Sequence, residues 1–146
     1  MTTGGPLASA RAVVQEPSIV PAGVWGRAAA ILARQGLEDA LRRRWVVVNW
    51  PAMADAKMKH QLIALPTYCE GFADLATEMR FIWAQLSNAC HAGTYRLDPS
   101  PEQLLNWITR IERFESCGTL TQKPTIGDGG APPTYVACAT RGVVVS

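Results

Sequence analysis

Apolar residues recur at steps of three and four along several stretches of this chain, and each such stretch predicts an amphipathic helix. The clearest is Leu75, Met79, Ile82, Leu86 and Cys90, which places a helix over about Gly71 to His91. A second stripe, Trp25, Ala29, Leu32, Gly36 and Ala40, predicts a helix from about Gly23 to Arg44. It is rich in small residues, so a neighbouring helix can approach it closely. Arg34, Glu38 and Arg42, together with Asp39 and Arg43, form four-residue charge pairs on its polar side, each contributing a few tenths of a kcal/mol. Met58, Leu62 and Leu65 predict a helix from about Ala52 to Leu65, with Pro51 suited to its first position and Pro66 expected to stop it. The last helix begins on a strong local signal. Ser100 can cap, Pro101 fits the first helical position and Gln103 completes a capping box, after which Leu104, Ile108 and Ile111 form the apolar face with Trp107 and Phe114 beside it. Gly118 is the expected terminator.

Between and beyond these helices the pattern weakens. Residues 1–21, interrupted by Pro6, Pro17 and Pro21, read as a loose N-terminal arm. Trp45–Trp50 is β-rich in propensity but has no partner strand, so it reads as the end of the first helix or a buried connector. Residues 118–146, with Gly127-Asp128-Gly129-Gly130 and Pro132-Pro133, read as a weakly ordered tail whose terminal valines can alternatively add a short strand. The expected organisation is therefore an arm over 1–21, a helical bundle over 22–117 and a tail over 118–146. The expected fold is all-α, with four main helices.

Composition narrows the function classes only a little. The chain has 146 residues, 48% of them hydrophobic, enough for one domain with a sizeable core. A net charge of +2 does not by itself imply a nucleic-acid or membrane partner. Cys69, Cys90, Cys117 and Cys138 form no Cys-x-x-Cys and no zinc-ligand spacing with a histidine, so free thiols in a reducing compartment, the cytoplasm, are expected, with no metal and no cofactor. No signal-peptide pattern and no apolar run of about 20 residues is present, so no membrane partner is expected. Gly-Asp-Gly-Gly lacks the Lys-Ser/Thr and helix of a phosphate loop. Arg42-Arg43-Arg44 reads as a cationic last turn matched to the helix dipole rather than as a nucleic-acid patch. His60 lies on a solvated face and carries no expected role.

His91 is the residue that invites chemistry. Taking about 100° per residue from Leu75, the core stripe spans about −20° to +60°, whereas Ser87 falls near 120°, Arg80 near 140°, His91 near 160° and Ala84 near 180°. His91 thus points away from its own helix's core, in a row that suits a groove floor or a helix-to-helix seam. A bland alternative is a histidine stabilising the helix C-terminus or bonding a loop. Arg80 and His91 are about 16 Å apart along the axis, too far to grip one phosphate within a protomer, but an antiparallel pair of chains brings Arg80 towards the partner's histidine.

The order of elements resembles the HEPN superfamily of helical domains found in ribonuclease toxins, CRISPR-associated nucleases and defence systems. The residues that carry the likeness are a small-residue helix ending in Glu38-Asp39-Ala40-Leu41, a second helix, a long helix ending in Asn88-x-x-His91, a polar exit with Tyr95, and Pro99-Ser100-Pro101-Glu102-Gln103 opening the last helix, together spanning about residues 22–116. The resemblance implies an up-and-down four-helix bundle that dimerises through the histidine helix, here 71–91. Active members are metal-independent RNases with an arginine four to six intervening residues before the histidine. His91 matches the histidine, but Ala84, Gln85 and Leu86 stand where the arginine belongs, and Asn88 cannot supply a permanent cation. The implied site is therefore degenerate, with His91 and a partner's Arg80 as the catalytic candidates and Asn88, Ser87, Tyr95 and Arg96 as RNA-binding ones. Tyr95 can stack a base or simply pack against the last helix. The expected function is an RNA-binding or toxin–antitoxin or defence-associated module with lost or weak RNase activity. Its implied partners are a second copy, RNA, and a cognate antitoxin or nucleotidyltransferase-type protein. The alternatives are a protein-interaction bundle with no nucleic-acid role, and an active RNase with a rearranged charge.

Overall fold

A computed structural model describes residues 4–47, 50–68, 73–91 and 98–116, and the expected tail over 118–146 lies outside them. The described residues form helices and no strand: α1 (Pro6–Gln15), a 3₁₀ turn (Pro17–Ile19), α2 (Trp25–Val47), α3 (Pro51–Ala54), α4 (Met58–Tyr68), α5 (Ala73–Cys90) and α6 (Pro101–Ser116). The all-α class is as the periodicity predicts. The membership of the bundle is not.

The N-terminal arm is corrected first. Residues 6–15 are a helix, entered with Gly5 as an extended cap and Pro6 at the first turn, where its missing N–H costs nothing. Leu7, Ala10, Val13 and Val14 follow at helical spacing and are buried. Pro17 and Pro21, which suggest an arm, come after the helix has ended. α1 packs against both α2 and α6. Its approach to α2 is close: a Cβ on Gly36 would stand 2.5 Å from Leu7 Cγ and 3.3 Å from the Leu7 backbone nitrogen. Only a residue without a side chain admits α1 there. Arg11 clamps the other flank, its Nε and Nη2 donating to the two carboxylate oxygens of Glu112 at 3.2 and 2.8 Å, with Nη2 also 3.1 Å from Thr109 Oγ1.

α2 is the hub, touching α1, α3, α5 and α6. Its buried face is Gly26, Ala29, Ala30, Ala33, Gly36, Leu37, Ala40, Leu41 and Trp45, so the face is rotated from the expected stripe, and Trp25 and Leu32 lie at its edge. The helix runs on to Val47, and Trp45 is fully buried, meeting Trp50 edge-to-face with centroids 5.6 Å apart. Trp50 N donates to the Trp45 carbonyl at 2.9 Å, closing the connector.

The helix expected over 52–65 is two helices. The chain turns at Asp55-Ala56-Lys57, and the buried Gln61 amide donates to the Ala54 and Ala56 carbonyls at 3.3 and 2.7 Å, satisfying acceptors that a continuous helix would have used itself. Pro66 does not stop α4, which continues to Tyr68. So near a helix end, Pro66 forfeits one hydrogen bond without breaking a long ladder behind it. α5 and α6 follow the predicted patterns. Met79, Ile82, Leu86, Leu104, Ile108 and Ile111 are all buried, and the capping box is reciprocal: Gln103 N donates to Ser100 Oγ at 3.2 Å and Ser100 N to Gln103 Oε1 at 3.1 Å.

Replacing Gly36 by alanine is expected to destabilise the protein by about 1 kcal/mol, the overpacking at Leu7 outweighing the gain in helix propensity. Urea denaturation of Gly36→Ala, Leu7→Ala and the double variant checks this. The double variant should lose less than the sum of the singles. A Gly36→Ala protein more stable than wild type would mean that α1 does not sit where described.

Candidate functional site

α5 packs against α2, α4 and α6 and leaves one flank open. Arg80, Ala84 and Asn88 are exposed there, and His91 is exposed in the turn that ends the helix, its N–H donating to the Ser87 carbonyl at 3.2 Å. Phe81 joins them, 56% exposed, an aromatic that the sequence pattern does not single out. Arg80 makes no ion pair with any described residue. Ser87 differs from the rest: its hydroxyl is shielded from solvent and has no hydrogen-bond partner among the described residues. Tyr95 and Arg96 lie outside the described residues.

The other flank of α5 carries a polar cluster against α2. Arg34 Nε lies 2.9 Å from Glu38 Oε1, as the four-residue spacing predicts. The tertiary fold adds to this pair. Trp83 Nε1 donates to the same Glu38 oxygen at 3.3 Å, and the Arg34 guanidinium sits 5.2 Å from the centroid of the Trp83 ring. Cys90, two turns further along α5, comes under the charges of Arg34 and Arg27. Burial pushes its thiol above the ordinary value of 9.0 and prevails over Arg34 and Arg27, which act in the opposite sense, while Glu38 adds slightly to the rise. The thiol is thus held protonated, the reverse of an activated nucleophile. The signal in the sequence is that Arg27 and Arg34 are seven residues apart, as are Trp83 and Cys90, so each pair shares a helix flank.

Arg43 and Arg44 have structural partners. Arg43 pairs with Glu115, while Arg44 donates to the carbonyls of Phe114 and Glu115 and lies over the Phe114 ring. They neutralise the carboxyl end of α6 rather than that of their own helix. A cleft of 710 Å³ opens beside them, with Leu7, Gly36, Ala40 and Val47 in its lining. Its rim charges Arg43, Glu115 and Glu112 are engaged with one another or with Arg11. Among the described residues, no group of three or more His, Cys, Asp or Glu side chains is placed to hold a metal ion. No described helix is long and apolar enough to cross a membrane.

Compared with protein-family models, curated proteins and solved structures, the chain matches none.

Raising pH should expose the role of Cys90. Its folded pKa lies above the unfolded value, so the stability it contributes is fully present below pH 9.0 and is lost as pH rises through the folded pKa. Denaturation midpoints measured from neutral to alkaline pH should fall less steeply for Cys90→Ala than for wild type. Parallel curves would show that the thiol is not buried against Arg34.

Proposed function

We propose that this chain is a HEPN-like helical module that pairs through the open flank of α5 and binds single-stranded RNA, with weak or no cleavage. The observation that carries the reading is the open row itself: Arg80, Ala84, Asn88 and His91 face solvent, and Arg80 is unpaired among the described residues. An antiparallel copy would meet this row at the small Ala84 and bring Arg80 towards the partner's His91. Cleavage by the 2′-hydroxyl needs a proton acceptor and a cation on the phosphorane. His91 supplies the first. The second depends on an arginine from elsewhere, because Ala84, Gln85 and Leu86 are neutral. This asymmetry favours binding over turnover. A toxin–antitoxin or defence setting, with an antitoxin or nucleotidyltransferase-type partner, belongs to the same reading.

Phe81 favours a second reading. An aromatic 56% exposed beside Ala84 suits a protein partner with no nucleic-acid role. The two readings differ in salt dependence. For an RNA binder, log K falls linearly with log salt concentration, by about 0.7 per phosphate contact on a single strand. Arg80→Ala should reduce that slope, and His91→Ala should abolish any cleavage seen in chelator. Sedimentation at micromolar concentration should report a dimer. A strict monomer with no salt-dependent RNA affinity would overturn the proposal, and apolar association without RNA binding would support the second reading.

A further inference from the structure

The cleft between α1, α2 and α6 holds a charge that the sequence pattern pairs and the fold does not. Asp39 and Arg43 are four residues apart on α2, the spacing of a helical ion pair. Arg43 instead reaches across to Glu115 on α6. Asp39 takes no part in the ion pairs or side-chain hydrogen bonds of the described residues. Yet it is half-buried and lines the cleft together with Leu7, Gly36, Ala40 and Val47. The other charged groups of the lining are engaged: Glu112 with Arg11, and Arg44 with the Phe114 and Glu115 carbonyls. One carboxylate is therefore left without a counter-ion, facing 710 Å³ of space beside an apolar wall. A partly desolvated charge in that position costs free energy until a partner reaches it.

We propose that this cleft binds an aliphatic ammonium group, with Asp39 as its counter-ion and Leu7, Ala40 and Val47 against its stem. Such a group is apolar along its length and charged at its tip, the complement of what the cleft presents. An ammonium suits a single carboxylate because it is a compact charge with three rotatable donors. The volume lies within the range of about 300–1,000 Å³ typical of small-ligand sites. An anion is disfavoured, since Arg43 and Arg44 already have partners and Asp39 would repel it. The amino end of α1 also opens here, and its positive half-charge offsets part of the carboxylate charge without bonding to it. No residue of α5 lines the cleft, so the inference stands apart from the RNA reading. The ammonium belongs either to a free amine or to a lysine of another protein; the chemistry at Asp39 is the same.

Two-dimensional amide NMR, titrated with n-butylammonium, should show saturable shifts over residues 36–43 of wild type. n-Butanol carries the same stem without the charge and should bind about tenfold more weakly. Asp39→Asn should weaken n-butylammonium binding by about the same factor, and Asp39→Glu should restore part of it. Glu115→Gln should weaken it as well, because the freed Arg43 falls back onto Asp39 at its four-residue spacing. Thermal melting by circular dichroism confirms that the variants are folded. A blocked lysine, with acetyl and methylamide ends, separates the two sources. Tighter binding of the blocked lysine than of n-butylammonium supports the site and assigns it to a protein partner. The reverse order supports the site and assigns it to a free amine. Equal binding of n-butanol, or shifts that persist unchanged in Asp39→Asn, would overturn the proposal. So would a wild type that n-butylammonium does not shift, with Asp39→Asn lowering only the melting temperature, since Asp39 would then serve the amino end of α1 alone.

Discussion

Close approach to the small-residue face of α2 is the constraint on which the rest of the structure depends. Gly26, Ala29, Ala30, Ala33, Gly36 and Ala40 leave little side-chain volume between α2 and its neighbours. Helices packed over such residues come nearer than the usual interaxial distance of about 8–10 Å allows for larger ones. Gly36 is the extreme case, because the Leu7 side chain and backbone occupy the space where its Cβ would be. The larger residues Leu37, Leu41 and Trp45 fill the space near the carboxyl half of α2 and are fully buried. Burying each contributes roughly 2–3 kcal/mol.

Shape of this kind brings helices together but is poor at fixing their register. Arginines at the seams do that. Arg11 grips Glu112 and Thr109 across α1 and α6. Arg44 satisfies carbonyls at the end of α6 that have no intrahelical donor. Arg34 joins Glu38 to Trp83 across α2 and α5. Each is partly exposed, so the charges are screened and the energy of each is modest. Their geometry is directional, and a helix slipped by one turn would lose it.

The same packing decides what is left open. α2, α4 and α6 take three sides of α5, and the remaining side carries Arg80, Phe81, Ala84, Asn88 and His91. α4 lies against α5 and α3, whereas α1, expected as an arm, packs against α2 and α6. The flank of α5 next to this open side is held against α2 by Arg34, Glu38 and Trp83.

The local pattern alone was sufficient for the all-α class, the core stripe of α5 and the capped start of α6, because each depends on residues within a few turns of one another. Ser100 and Gln103 meet as their spacing requires, and His91 faces outward as its angle from Leu75 requires. Also legible is α1: Pro6 at a first turn followed by Leu7, Ala10 and Val13 is a helical signal hidden among residues typical of coil. Other features could not be read locally. The rotation of the buried face of α2, the use of Arg44 on α6 and the meeting of Trp83 with Arg34 and Glu38 each depend on which flank of one helix faces which flank of another. Helical periodicity says that a face exists; only the packing of residues far apart in the chain selects its partner.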